Sequence, residues 1–125
     1  MLKYINKEEY IELLGADSIP DDFDNLVIKA SSYINRQTFG RVDINNIPEK
    51  VKYATCLIIE LENKANIQKE EIGNLKSQNI EGWSETYSTS EEIDSKVKID
   101  KAEILKEQLW DVIGKDGNYL LYRGE

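Results

Sequence analysis

Histidine is absent from this chain of 125 residues, and Cys56 is its only cysteine. Zinc sites built from cysteine and histidine are therefore excluded, and so are disulfides within the chain. A histidine general base, and any nucleophile that depends on one, is excluded for the same reason. Cys56 lies in an apolar helical pattern, which is typical of a buried, inert thiol. We predict no enzymatic activity, no metal site and no cofactor.

Basic residues are in the minority. The chain has 16 lysines and arginines and 24 aspartates and glutamates, which gives a net charge of −8. Seven of the first 26 residues are acidic and two are basic. Affinity for DNA comes largely from basic side chains that neutralise phosphates, so this balance disfavours a nucleic-acid clamp. It also disfavours an anionic membrane surface. No hydrophobic run approaches the roughly 18 residues of a membrane span, and no signal-peptide pattern is expected at the N-terminus.

Hydrophobic residues make up 40% of the chain, and its length suits one domain with a modest core. Apolar residues recur at helical spacing from the start. Asn6 is a suitable N-cap and Gly15 a suitable terminator for a first helix over residues 7–14. Pro20 suits the first turn of a second helix, which Gly40 ends.

Two further helices follow. Apolar residues spaced by three and four predict a third helix from Pro48 to about Gln68, with a second apolar side that places it centrally in the core. Asp100, with Glu103 three residues later, is typical of a capping box and predicts the start of a last helix. Its apolar stripe runs through residues 102, 105, 109, 112 and 113, and glycines at 114 and 117 mark its end.

Small and polar residues interrupt the helical pattern over residues 72–90. Large and small side chains alternate there from Trp83 to Tyr87, which predicts a β-hairpin or an extended loop. Residues 118–125 form a short apolar segment that we expect to be extended. The predicted fold is mainly α: a small bundle of three to four helices over residues 1–117, with the hairpin over 72–90 and a C-terminal docking tail over 118–125.

The tail contains four consecutive large side chains, Tyr119, Leu120, Leu121 and Tyr122, followed by Arg123. An exposed run of this kind needs cover. Either the core of this chain or a neighbouring protein, joined by strand addition, could supply that cover. We favour the partner because the tail follows a helix end and a turn signal.

Trp83 and Tyr87 have the same two interpretations. They either fold back onto the helices, which we slightly favour, or anchor a partner, since aromatic residues dominate interface energies. In the second interpretation the hairpin is a candidate contact between neighbouring subunits.

Charged residues at the ends of the second helix are a further candidate contact. Arg36 and Arg41 either cap the helix and form an internal ion pair or contact an acidic partner, and the two interpretations are rated equally. Asp21, Asp22 and Asp24 lack the glycine and glutamate of a calcium loop and are better explained as helix N-terminal acids. In a ring of identical subunits, these acids of one copy would meet the arginines of the next.

The order of these features resembles the tailed-phage head–tail connector (adaptor) proteins, especially those of phages and defective prophages of low-GC Gram-positive hosts. The resemblance covers nearly the whole chain. It rests on the segments 4–15, 19–26, 30–34 with Thr38 and Arg41 after it, 48–54, 75–87 and 120–124.

The resemblance implies a helical subunit that assembles into a ring, commonly of twelve copies, beneath the portal protein and next to the head-completion (stopper) protein. Its C-terminal segment would reach the portal, and its hairpin would line or join the ring. Double-stranded DNA would pass through the lumen without sequence-specific binding. The protein would be made in the cytoplasm of the bacterial host and would lie at the head–tail junction of the virion.

Three alternatives compete with this interpretation. The first is a small acidic regulator that binds a host protein or mimics DNA, as a monomer or dimer. The second is a neighbouring head-completion or tail-terminator protein, a class that is often rich in β-structure. An enzyme that uses only carboxylates is disfavoured, because the acids are scattered and lie where helix caps are expected.

Overall fold

The computed structural model describes residues 2–17, 19–77 and 90–122. In this part of the chain there are four helices and no β-strand. The helices are α1 (Lys7–Leu14), α2 (Phe23–Gln37), α3 (Glu49–Ser77) and α4 (Ser90–Leu109). Helix α3 contacts each of the other three, so it is the centre of a mainly helical bundle, as predicted. None of the described helices is long and apolar enough to cross a membrane.

Helix α1 begins and ends where the sequence predicts. The Asn6 side chain accepts a hydrogen bond of 2.8 Å from the Glu9 N–H, and the Glu9 carboxylate accepts one of 3.1 Å from the Asn6 N–H. Gly15 follows the last turn with a φ of 64°, a left-handed conformation that glycine adopts readily. Both ends are fixed by local chemistry, and both predictions are confirmed.

Helix α2 begins three residues later than Pro20, which lies in the turn before it. The Pro20 carbonyl accepts a hydrogen bond of 3.2 Å from the Phe23 N–H, which closes that turn. At the other end, the buried Thr38 hydroxyl donates to the Ile34 carbonyl at 2.8 Å. Gly40 then reverses the chain with a φ of 70°, so its role as terminator is confirmed.

Helix α3 continues to Ser77, so the predicted end near Gln68 is wrong, and so is the predicted loop over residues 72–77. A glycine or asparagine inside a helix costs only up to about 1 kcal/mol. Ala65 packs with two residues of α4, Ile93 and Val97, in a separate apolar cluster that holds this part of the bundle together. The rest of the predicted hairpin, with Trp83 and Tyr87, lies outside the described residues.

Helix α4 begins at Ser90, so the predicted start at Asp100 is wrong, and Asp100 and Glu103 lie inside the helix instead of in a capping box. The helix also ends at Leu109, before the predicted glycines. Ala102 and Ile113, which were predicted for its apolar stripe, are exposed. The stripe starts earlier, because the buried residues of α4 are Ile93, Val97, Leu105 and Leu109.

The chain after α4 folds back onto the bundle. Ile113 and Tyr119 form an antiparallel β-bridge, and the Leu120 N–H donates to the Val112 carbonyl at 2.8 Å. Gly117, with a φ of 84°, allows the reversal. Leu120 is fully buried in the main core. The predicted extended tail is therefore not found at residues 118–122, which return to the bundle in this turn.

Leu120 should contribute substantially to stability. Replacing it with alanine removes core contacts and leaves a cavity, so we expect Leu120→Ala to lower the free energy of unfolding by about 2–5 kcal/mol. Ile113→Ala, in the same turn but exposed, should change it by less than about 0.5 kcal/mol. Urea unfolding followed by circular dichroism measures both. Equal losses would show that the turn packs differently.

Candidate functional site

Arg41 fixes the C-terminal turn, residues 112–122, to the connection between α2 and α3. Its Nε donates to the Asp116 carboxylate at 2.9 Å. Its Nη1 donates to the carbonyl oxygens of Tyr119, at 3.1 Å, and of Tyr122. The side chain is only 14% exposed. Of the two interpretations of Arg41, the internal ion pair is the one observed within the chain.

The backbone of the turn also approaches Arg41 closely. The Lys115 N–H donates to the Arg41 carbonyl at 2.9 Å. A Cβ atom on Gly114 would lie 2.6 Å from the Arg41 Cβ, so only glycine fits there. The Asn118 backbone N–H, and then the Arg41 guanidinium, hold the pKa of Asp116 below its ordinary value. The acceptor of the ion pair therefore stays charged at neutral pH.

An exposed apolar surface surrounds this arginine. The Phe39 and Tyr122 rings have their centroids 5.1 and 5.6 Å from the Arg41 Cζ. We define the aromatic patch as four exposed side chains held by this framework. They are Phe39 at 54% exposure, Ile113 at 58%, Tyr119 at 53% and Tyr122 at 40%. Single exposed apolar residues are ordinary, but several on one rigid support indicate an interaction site.

Phe39 is a member of the patch that sequence reasoning missed. Its φ of 55° is uncommon for a residue with a Cβ atom and costs on the order of 1–3 kcal/mol. Such conformations concentrate at functional sites, where the surrounding structure holds them in place. The signal available in the sequence was its position directly before Gly40, in a helix-ending turn where a large ring is difficult to bury.

The other predicted docking residues have different positions. Leu120 is a core residue and is not available to a partner, which corrects that part of the prediction. Leu121 is partly buried against the same core. Tyr119 and Tyr122 are exposed and remain candidates, while Arg123 lies outside the described residues.

The predicted charged contacts lie at the two ends of α2. Arg36 is exposed in its last turn, and Asp24 is exposed in its first turn, 3.6 Å from Lys3. Asp21 and Asp22 are exposed in the preceding turn, where the Asp22 carboxylate accepts a hydrogen bond of 2.8 Å from Asn25. Within one copy the length of α2 separates Arg36 from the three aspartates.

Cys56 and the acidic residues are the remaining candidates for chemistry in the described part of the chain. Cys56 is fully buried, and burial, with a smaller effect of Glu9, raises the pKa of its thiol to about 12. Residues 2–17, 19–77 and 90–122 contain no group of three or more acids and cysteines arranged to hold a metal ion. We take the aromatic patch as the candidate functional site because of its exposure and its position around Arg41.

Comparisons with known proteins give no information on the function of this chain. No family model, no curated protein and no solved structure matches this chain. The arguments for function therefore come from the residues of this chain and from their arrangement.

Arg41→Lys should loosen the C-terminal turn. Lysine cannot reach a carboxylate and several carbonyl oxygens together in the geometry of a guanidinium fork. We expect the Gly114 and Leu120 amides to exchange hydrogen roughly five to ten times faster, from a local loss of about 1–1.5 kcal/mol. Arg36→Lys is the matched control and should leave both rates unchanged. Unchanged rates in Arg41→Lys would contradict the role given to the guanidinium.

Cys56 should be chemically silent in the folded protein. A thiol with a pKa of about 12 holds a negligible fraction of thiolate at pH 8, and the side chain is inaccessible. We expect no reaction with a disulfide reagent at pH 8 until urea unfolds the chain, and complete reaction afterwards. Rapid labelling of the folded protein would show that Cys56 is exposed and reactive.

Proposed function

We propose that this protein is a non-enzymatic structural subunit, a head–tail connector (adaptor) of a phage or phage-like particle. In this proposal the aromatic patch docks on the portal protein. The single observation that carries the docking role is the exposed patch of Phe39, Ile113, Tyr119 and Tyr122 around Arg41, which forms an ion pair with Asp116. The assignment to the connector class follows from the resemblance described for the sequence.

The geometry of the patch suits tight docking. Binding costs entropy when side chains and loops must be ordered, so a surface that is already held in place binds more strongly. Arg41 supplies that order through its bonds to the turn. Aromatic residues are also the type most enriched among residues that dominate binding energies.

The chemistry of the patch indicates what it would contact. The charge of Arg41 is neutralised by Asp116, and the four side chains of the patch are apolar apart from the two tyrosine hydroxyls. A matching partner surface offers an apolar groove with hydrogen-bond acceptors at its edge. A highly charged partner, such as nucleic acid, does not fit this description.

The ring and the passage of DNA are further parts of the proposal. A net charge of −8 suits a channel lining that repels phosphates and lets DNA slide. Contacts between copies would join Arg36 of one subunit to the acids near the start of α2 of the next, with Trp83 and Tyr87 as additional contacts. The ring would adjoin the head-completion protein at the head–tail junction of the virion.

The alternative classes have less support. Tail-terminator and head-completion proteins are often rich in β-structure, whereas more than half of this chain lies in four helices. A small acidic regulator or DNA mimic would function through its charges. The surface that the Arg41 framework holds in place is apolar, which favours docking on a protein.

Binding to the cognate portal protein tests the proposal. We expect Tyr119→Ala and Phe39→Ala each to raise the Kd for the portal by about tenfold or more, as for central interface aromatics. Ile67→Ala is the control, because Ile67 is 47% exposed on α3, outside the patch. Circular dichroism checks that all three variants fold.

Calorimetry measures the affinity, and electron microscopy of the mixture shows whether rings form on the portal. A wild-type protein that neither binds the portal nor forms rings would overturn the connector assignment. Binding that is equally strong in the patch variants and in Ile67→Ala would place the docking surface elsewhere.

A further inference from the structure

Helix α4 has an outward face opposite its buried stripe. Ile99 is 62% exposed, and Trp110, the first residue after the helix, is 67% exposed. Glu103 and Lys106 lie between them and are exposed as well. These four positions are spaced by four, three and four residues, which places them in one line along the helix. We call this set the α4 line.

The charged members of the α4 line are available to another molecule. Seven ion pairs join other residues of the described ranges, and neither Glu103 nor Lys106 takes part in them. Two apolar side chains flank a charged pair of opposite sign, and the main core lies on the other side of the helix. A surface of this kind has the composition of a short helix–helix contact.

The α4 line is complementary to itself. Its order is apolar, acidic, basic, apolar, so a second copy that runs in the opposite direction presents matching groups. With a twofold axis midway between Glu103 and Lys106, Ile99 of one copy meets Trp110 of the other. Glu103 then meets Lys106 of the other copy. A twofold contact forms each of these pairs twice.

We propose that two copies of this protein associate through an antiparallel contact between their α4 lines. The charges select this arrangement, because a parallel pair in register would place Glu103 against Glu103 and Lys106 against Lys106. The proposal does not depend on the connector assignment. It assigns a surface outside the aromatic patch and a partner, which is a second copy of this chain.

The contact should be weak and reversible. The line spans twelve residues, or about 16 Å of helix, whereas a standard interface uses roughly 20–30 residues on each side. We therefore expect a Kd in the micromolar range or weaker. The two charge pairs are at the surface, so dimerisation should weaken further as salt is raised.

Charge reversal tests the contact and its symmetry together. Sedimentation equilibrium of the full chain, at low salt and over a wide range of concentration, measures the dimer Kd. Glu103→Lys and Lys106→Glu should each raise it by about tenfold or more, because two attractive pairs become repulsive. The double variant exchanges the charges and should return the Kd to within about threefold of the wild-type value.

Mixing the two single variants tests the antiparallel arrangement most directly. Each variant alone carries two like charges on its α4 line, but one is basic and the other acidic. In the antiparallel arrangement both cross-contacts of the mixed pair become attractive. We expect two weakly associating proteins to form a heterodimer on mixing. This result also shows that neither variant has failed to fold.

Lys98→Glu is the matched control. It makes the same charge change as Lys106→Glu at an exposed position of α4 that is about 100° around the helix from Ile99. It should leave the dimer Kd unchanged, whereas Trp110→Ala should raise it. A wild-type chain that stays monomeric at millimolar concentration would overturn the proposal, and so would single variants that fail to associate when mixed.

Discussion

Helix α3 carries apolar side chains on more than one face, and the rest of the fold follows from the need to cover them. Val51, Ala54, Cys56, Ile58 and Ile59 are all fully buried, although they do not share one side of a helix. A single neighbouring helix covers only one stripe. Three helices therefore pack against α3, each from a different direction.

Ion pairs and a cation–π contact join the helices beyond the apolar core. The Lys101 ammonium of α4 pairs with the Glu62 carboxylate of α3, and it lies 5.0 Å from the centroid of the Tyr33 ring of α2. One lysine thus joins three helices. At the start of α3, Lys50 pairs with Asp111 at 3.0 Å and brings the end of α4 beside it. The chain that follows α4 is consequently placed next to Arg41.

The parts of the fold that the sequence predicts correctly are those fixed by local chemistry. Asn6, Gly15 and Gly40 act within one helical turn of their own positions, so a short window of sequence contains the whole cause. The start of α4 at Ser90 is marked by two glutamates in its first turn, but a second local signal competes with it. Asp100 and Glu103 look like a capping box, but the buried Ile93 and Val97 extend the helix past them.

In the candidate site, too, the sequence predicts what local chemistry fixes and misses what long-range contacts fix. The sequence predicts Tyr119 and Tyr122 as docking residues, because they belong to a run of four consecutive large side chains. The local sequence does not decide the role of Arg41, since its acceptor, Asp116, is 75 residues away. The burial of Leu120 depends on packing against the main core, which no local pattern encodes. Long-range contacts decide which of these neighbouring residues face a partner.

The two proposed surfaces adjoin each other, and this has a consequence for assembly. Trp110 ends the α4 line, and Ile113 of the aromatic patch follows three residues later. In the proposed antiparallel contact a second copy would lie beside Trp110 and therefore close to Ile113, three residues further along the chain. Docking on a partner and pairing with a second copy would then compete for the same subunit, in proportion to their affinities. A weak dimer would shield exposed aromatic residues in the free protein, and a partner that binds more tightly would displace the second copy. Such behaviour would suit the proposed connector subunit, which would have to remain unassembled until it meets its partner.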